Sequence, residues 1–444
     1  MSYKTKPIDK IVTPFKKIFE HEKAGGIVLF LSVIIALILA NSPIKEQYHH
    51  FFENTFLGFH VNGASYLEYS LHDWINDGLM AIFFFGIGLE LKKEIVSGEL
   101  SKPKKAILPI AAAIGGMLVP AAIYLSLNNT LGTHAGWGIP MATDIAFALG
   151  ALMFLGKRIP ISLKVFLLAL AIVDDMGAVL VIAFFYSSDI SIFNLLIGFS
   201  FFAVMMLGNK LGVRNVMFYA VLGIAGLWTA FLLSGVHATI AAVLAAFAIP
   251  TDVELKEHDY IAKIQQKLKE FQAIDPEDAI PTLKDDQLAI LEEIDKTTYM
   301  AMTPLQKLIN ILHPINTFII IPIFAIANAG VTLNFEFDTL FSNHIALGVG
   351  LGLLIGKVVG VVGATMLLVK LGIGTLPDGM TFKNLIGVGL LASIGFTMSI
   401  FVTNLAFTNE LYITQAKLGI FVASLTGGLI GYFYLSIISK NSKP

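Results

Sequence analysis

Two adjacent carboxylates, Asp174 and Asp175, sit in the middle of the apolar run 161-ISLKVFLLALAIVDDMGAVLVIAFFYS-187. Roughly a dozen residues separate them from either end. At about 1.5 Å of rise per helical residue they lie near the midplane of a bilayer. One charge at that depth costs about 3 kcal/mol or more, and a like-charged neighbour adds to the cost. A chain keeps such a pair when the acids do work. The work that suits two carboxylates is holding a cation, a proton, or each in turn.

Two further ionisable residues lie deep in apolar runs, Asp144 and Lys357. Lys357 sits about a dozen residues from either end of 345-IALGVGLGLLIGKVVGVVGATMLLVK-370, too deep to reach water easily, so its expected partner is a carboxylate. One Asp–Lys pair could be purely structural. Three acids against one lysine leave acid capacity over for a cation. Gly138, Pro140 and Thr143-Asp144 interrupt one run; Gly387, Gly389 and Ser393-Ile394-Gly395-Phe396-Thr397 interrupt another. Both read as broken helices, whose freed carbonyls can coordinate a hard cation and whose half-helix dipoles need compensating charge. Asp144 near one break and Lys357 near the other would supply it. Oxygen ligation by Asp174, Asp175, Thr143 and backbone carbonyls suits Na⁺, Li⁺ or a proton, and not Zn²⁺ or Cu⁺. Neighbouring carboxylates titrate as a coupled pair. Sodium and protons then compete for one site, which is the requirement of an antiporter that uses no nucleotide and no cofactor.

The elements that must hold these residues are membrane helices. Of the 444 residues, 56% are hydrophobic and only 14% charged, at a mean hydropathy of +0.76. The apolar runs are long rather than alternating, which excludes a β-barrel. The absence of cysteine excludes disulfides and thiol chemistry. No polybasic tract suits nucleic acid. Twelve spans are expected, near 25–41, 71–92, 106–127, 135–156, 160–187, 190–209, 213–232, 234–250, 304–329, 343–370, 383–406 and 411–438. With the N-terminus inside, 27 of the 30 Lys and Arg residues fall on the cytoplasmic side, which supports twelve spans with both ends inside.

This predicts an all-α polytopic protein with a single transmembrane domain over 25–438. Residues 1–24 are expected to form an amphipathic cytoplasmic helix on the membrane surface, and 439–444 a cytoplasmic tail. The outer loop 42–70 contains Asn62-Gly63 between strand-like residues, a signal for a small extracytoplasmic β-hairpin. That hairpin either pairs with a second copy in a dimer or is an ordered turn. The cytoplasmic loop 251–302 carries 13 acids against 6 lysines. Ile261, Ile264, Leu268 and Phe271 mark a short amphipathic helix in it; the rest is a solvated loop or a regulatory element.

The stretches 139-IPMATDIAFALGAL-152, 169-ALAIVDDMGAVLVIAFFYS-187, 85-FGIGLELKKE-94, 234-SGVHATIA-241, 325-AIANAGV-331 and 393-SIGFTMSIF-401 closely resemble the NhaA family of bacterial Na⁺/H⁺ antiporters. The similarity runs from about residue 22 to 438. It implies inverted repeats with two discontinuous crossing helices, the fourth and the eleventh. It implies electrogenic export of Na⁺ or Li⁺ against protons across the bacterial inner membrane, serving Na⁺ and pH homeostasis. Asp175 would be the main cation ligand. Asp174 would be its partner, in a salt bridge to Lys357 that breaks as the ion binds. Asp144 and Thr143 would line the site. Glu90, Lys93 and Glu94 would project into a pH-regulating cytoplasmic funnel, and the hairpin at 56–67 would build a homodimer. His237 matches the family and is a sensor or a packing histidine. Lys93 stands where the family carries arginine, Ile309-Asn310 stand where an acid and a histidine are expected, and 251–302 is longer than usual. These departures bear on the pH profile and leave the ion site intact.

A Na⁺-coupled solute symporter would need a larger polar pocket than the few midspan polar residues supply. An intramembrane aspartyl protease would show Gly-x-Gly-Asp. None of Asp144, Asp174 and Asp175 stands in that context, and such an enzyme has no use for Lys357.

Overall fold

A computed structural model describes residues 23–61, 64–130, 132–187, 190–274, 283–331 and 343–440. The expected surface helix over 1–24 lies, but for its last two residues, outside this range. So do the Asn62-Gly63 turn and the tail beyond 440.

The described residues are mostly helical with one small sheet. The outer segment forms helix α1 (Lys23–Ala40), helix α2 (Lys45–Glu53) and strands β1 (Phe56–Val61) and β2 (Ala64–Ser70). The strands pair antiparallel, with Phe56 opposite Ser70 and Val61 opposite Ala64, and a bulge between Leu57 and Phe59. Trp74 Nε1 donates to Leu57 O at 2.9 Å and ties the hairpin to helix α3 (71–96). Ser70 and Asp73 cap the start of α3 reciprocally. There follow α4 (Pro103–Leu127), α5 (Ile145–Phe154), α6 (Ile161–Phe185), α7 (Ile192–Lys210), α8 (Val216–Leu232) and α9 (Ala238–Ala248). Then come α10 (Glu257–Ala273), α11 (Asp285–Ala301), α12 (Pro304–Asn328), α13 (His344–Lys370), α14 (Phe382–Ala392), α15 (Phe396–Ala406) and α16 (Glu410–Lys440). Among the described residues seven helices are long and apolar enough to cross a membrane; counting each sharply bent pair as one span gives nine. Helices α8 and α9 are shorter apolar elements, and α3 carries Asp73, Asp77, Glu90, Lys92, Lys93 and Glu94.

Polarity is arranged inside out. Leu118, Phe184 and Phe193 are exposed on the outer surface, whereas Thr143, Asp144, Asp174, Asp175, Lys357 and Ser399 are buried within. Where lipid replaces water, apolar surface gives helices little reason to associate, and close packing of small residues takes over. Helices α4 and α13 show this. A Cβ built on Gly115 would stand 2.3 Å from Gly360 O, and one on Gly360 2.1 Å from Gly115 O. The backbones touch, and the contact brings the Lys357 stem against Gly116, whose own Cβ would lie 3.7 Å from Lys357 Nζ.

Two helices break in the interior. A 3₁₀ segment, His134–Met141, ends at Pro140-Met141; the chain runs extended through Ala142–Asp144 before α5 begins. Proline denies the backbone a donor there. Helices α14 and α15 are separated by a break at 393–395 and bent by 49°. The two breaks meet. Asp144 N donates to Ile394 O at 2.6 Å, and a Cβ on Gly395 would stand 3.1 Å from Ala142 O and 2.2 Å from Ser399 Oγ. Only glycine fits where the strands of backbone cross.

The segment 251–302 is more ordered than a solvated loop. The stripe Ile261, Ile264, Leu268 and Phe271 lies on α10, with Ile261 and Leu268 exposed, and a second helix, α11, packs beside α10. Lys267 joins them, bonding Glu270 on its own helix at 2.8 Å and Glu293 on α11. Tyr260 OH meets Thr298 Oγ1 at 3.3 Å.

The Gly115–Gly360 contact gives a direct check. Gly115→Val should lower the thermal unfolding midpoint in detergent, by an overpacking cost of about 1–3 kcal/mol. Gly363→Ala, where an added Cβ meets nothing within 4 Å, should leave it unchanged. Equal midpoints in both variants would contradict the packing described.

Candidate functional site

Helix α6 has no break and carries both acids of the pair. Successive helical residues point about 100° apart, so Asp174 and Asp175 serve different neighbours although both are buried. Asp174 faces α13 and the first break. Its Oδ2 accepts from Lys357 Nζ at 2.6 Å and from Thr143 Oγ1 at 2.8 Å. A π-helical turn over Gly352–Gly356 immediately precedes Lys357; such turns rotate the residues that follow and recur at functional sites. Both members of the ion pair are inaccessible to solvent. The pair therefore gains from a short contact in low dielectric and bears a large desolvation cost.

Asp175 has no such support. Among the described residues neither of its carboxylate oxygens has a hydrogen-bond partner, and Asp174 Oδ1 has none. An ionised carboxylate in that state is severely penalised, so the group must hold a proton or a cation. Sodium wants several oxygens at short range. The two free oxygens of Asp175, Asp174 Oδ1, the Thr143 hydroxyl and carbonyls at the break are of that kind, and they fit the ion as cargo.

Thr143 adds a switchable bond. Its hydroxyl lies 2.8 Å from Asp174 Oδ2 and 3.0 Å from Ala392 O, the last residue of α14. One hydroxyl proton can serve only one acceptor at a time.

Asp144 joins the two breaks. Its Oδ1 accepts from Phe147 N at 3.1 Å and so caps α5. Its Oδ2 accepts from Thr397 N at 3.1 Å and from Thr397 Oγ1 at 2.5 Å, at the start of α15. One carboxylate thus satisfies the orphan donors of two helix N-termini and sits at the positive end of both dipoles. The sequence alone assigns Thr397 no role; its place in the first turn after the Gly395 break, where backbone N–H groups lack helical partners, is the signal that points to it.

A cavity of about 380 Å³ opens at the end of the molecule opposite the hairpin, lined among others by Glu94, Glu99, Lys102, Lys105, Val165 and Leu168. Leu168 is seven residues, two helical turns, from Asp175 and on the same face of α6. Asp174 points to the far side of the helix from Val165. The cavity is therefore aligned with the unpartnered acid.

The expected regulatory residues separate into two groups. At the cavity end, Glu90 Oε1 lies 3.7 Å from His313 Nδ1, Glu94 Oε2 accepts from Glu99 N at 2.9 Å, and Lys93 is exposed. Its neighbour Lys92 is the more engaged lysine. It donates to Phe247 O and Ile249 O, at 2.6 and 2.5 Å, where a cation favours the C-terminus of α9. His237 is not part of this group. It lies on the hairpin side of the site with Nδ1 3.8 Å from Asp77 Oδ1, a half-buried acid to which the sequence alone assigns no role.

Residues 16–435 match the sequence model of the family described as Na⁺/H⁺ antiporter 1. The chain is 48% identical to the Na⁺/H⁺ antiporter NhaA of Oleidesulfovibrio alaskensis, over 99% of this chain and 97% of that protein. It is 46% identical to the Na⁺/H⁺ antiporter NhaA of Sulfurimonas denitrificans, over 98% and 97% of the two chains. To the protein of the same name from Wolinella succinogenes it is 44% identical, over 96% and 93%.

The ion pair predicts its own disruption phenotype. Lys357→Ala strands Asp174 without a counter-charge and should destabilise the fold by about 3–5 kcal/mol, read as a lower unfolding midpoint. Lys357→Arg should recover part of the loss. An unchanged midpoint for the alanine variant would show that the pair does not carry the charge balance of the site.

Proposed function

This chain belongs to the Na⁺/H⁺ antiporter 1 family, and from that premise we propose that it exports Na⁺ or Li⁺ in exchange for protons by alternating access. The observation that carries the reading is the Asp175 carboxylate, buried and with both oxygens unpartnered, beside an Asp174 already neutralised by Lys357. Such a group is stable only when occupied. A proton and a Na⁺ are its alternative occupants, and exclusion of one by the other is exchange.

The cycle begins with Asp175 protonated. A cation enters through the cavity past Glu94 and Glu99, loses water to the Asp175 oxygens, and draws Asp174 into its shell. Lys357 then gives up Asp174, and the Thr143 hydroxyl turns to Ala392 O. As the ion binds, Asp175 gives its proton to water on the cavity side, and Lys357, left without its counter-charge, gives up a second; two protons leave as one Na⁺ enters, so a cycle moves net charge. Asp144 keeps the crossing of the breaks intact throughout, as compensation for two helix dipoles.

The same reading extends to the architecture. It has twelve spans with inverted repeats, in which 134–154 and 382–406 are the discontinuous crossing pair, and both termini on the cytoplasmic side of the bacterial inner membrane. The lysine and arginine asymmetry supports that orientation. Glu90, Lys93 and Glu94 at the inner mouth, together with the Glu90–His313 pair, form the pH-regulating group, because a histidine changes charge near neutral pH. His237 meets Asp77 on the outer side and is a packing histidine there. The β1–β2 hairpin, with Phe56 and Leu57 exposed, is the contact through which two copies form a homodimer.

Exchange is tested in everted membrane vesicles by following collapse of a pH gradient on addition of Na⁺ or Li⁺, scanned from about pH 6 to 9, across the range where histidines titrate. The wild type should dissipate the gradient and Asp175→Asn should not, while both unfold at similar temperatures. Full exchange by Asp175→Asn would overturn the assignment. Deleting 58–65 should shift the protein from dimer to monomer in detergent with exchange largely kept; a deletion variant that remains dimeric removes the hairpin from the interface.

A further inference from the structure

A second polar cluster, buried at its hub and half-buried around it, lies away from the ion site, toward the hairpin. Its hub is Asn328, at the end of α12 and 1% exposed. Asn328 Oδ1 accepts from Asn404 Nδ2 of α15 at 2.6 Å and from His72 Nε2 of α3 at 3.1 Å. Asn328 Nδ2 donates to Asn76 Oδ1 of α3 at 3.0 Å and to Phe324 O at 3.1 Å. Asn76 Nδ2 lies 3.2 Å from both ring nitrogens of His72; because an amide oxygen only accepts, the contact with Asn328 Oδ1 calls for the tautomer with the proton on Nε2. All four hydrogen-bonding positions of the Asn328 amide are filled, from three helices.

The same three helices build a second tier, nearer the ion site, from Phe84 of α3, Phe324 of α12 and Phe401 of α15, all within 1% exposure. Phe401 is the centre, with ring centroids 5.5 Å from Phe84 and 6.2 Å from Phe324. Phe324 is one turn below Asn328 and Phe401 one turn below Asn404. Below Phe401 on the same helix is Thr397, which donates to Asp144. At the opposite end of the molecule the cavity on Glu94, Glu99 and Leu168 approaches the site instead.

We propose that the Asn76–Asn328–Asn404–His72 cluster is the latch of the outer gate: it holds α3, α12 and α15 together over the three phenylalanines, and its bonds must part before the cation can leave outward. The proposal rests on the exchange reading and adds to it the residues that keep one face shut. The latch shares helix α15 with the Asp144 cap, so reorganisation at the ion site and release of Asn404 displace one rigid element. A latch of satisfied amides suits a gate that must close tightly and still open, because each bond broken between protein groups is replaced by one to water.

The test uses two single cysteines in a chain that has none of its own. Thr403→Cys reports the outer side; this residue is fully buried beside Asn404. Leu168→Cys reports the inner cavity. Each is labelled in membrane vesicles of known orientation by a membrane-impermeant thiol reagent. Adding Asn328→Leu should quicken outer labelling of the first at least about fivefold and slow inner labelling of the second, the signature of a shifted two-state population. His72→Phe, which removes one donor to the hub, should move both rates the same way by less, and decides the matter if the leucine variant does not fold. General loosening would quicken both rates, and a merely structural cluster would change neither. Any result other than opposite changes overturns the latch. Opposite changes in a chain whose wild type exchanges no Na⁺ would overturn the exchange reading and leave the gate standing.

Discussion

The bond on which the site depends is the one between Lys357 and Asp174. It is buried on both sides and holds an ammonium against a carboxylate where neither could persist alone. Its consequence falls on the next residue. With the lysine committed to Asp174, Asp175 has no counter-charge and no donor, and its stability comes from whatever small cation or proton it holds. Much of the surrounding structure serves that arrangement. The Gly115–Gly360 contact sets the depth at which α13 approaches. The π-helical turn before Lys357 precedes its side chain. The extended chain at 142–144 delivers the Thr143 hydroxyl to the same oxygen.

The crossed breaks are the second constraint. An interrupted helix in a membrane leaves donors and carbonyls exposed and presents bare dipole ends. Here one carboxylate answers two N-termini, because Asp144 caps α5 with one oxygen and receives the start of α15 with the other. The Asp144 N–Ile394 O bond and the glycine at 395 hold the two chains at contact distance. A site built this way is rigid about Asp144 and more pliable about Asp174, whose partner Thr143 has a second acceptor in Ala392 O. That asymmetry lets an ion change the structure around it without dissolving the crossing.

Much of the site was legible in the sequence because charge in an apolar run has few explanations. Asp144, Asp174, Asp175 and Lys357 stand out against segments that are otherwise uncharged, and the proline and glycines mark where the helix cannot continue. The partners were harder to see. Thr397, Asn328 and Asn404 are ordinary polar residues in a sequence, and their importance comes from which helices face each other. Asp77 and Lys92 lie near the ends of an apolar run, where charged residues usually need no partner, and only packing revealed that one meets His237 and the other caps α9. Helix α11 was missed for a different reason. Its many acids give it the composition of a solvated loop, and the residues that join it to α10, Glu293 and Thr298, are polar. The span count by helix length falls short of the twelve expected from the apolar runs, since apolar helices such as α8 and α9 are too short to qualify.

If Asp174 and Asp175 hold sodium and protons alternately, binding one must expel the other. The direct measurement is calorimetric titration of the purified protein with Na⁺ at several pH values, in buffers of different ionisation enthalpy so that proton release is counted. The account predicts that Na⁺ binding releases protons, that the apparent affinity weakens as pH falls, and that both effects vanish in Asp175→Asn. Sodium binding with no proton release and an affinity independent of pH would contradict it.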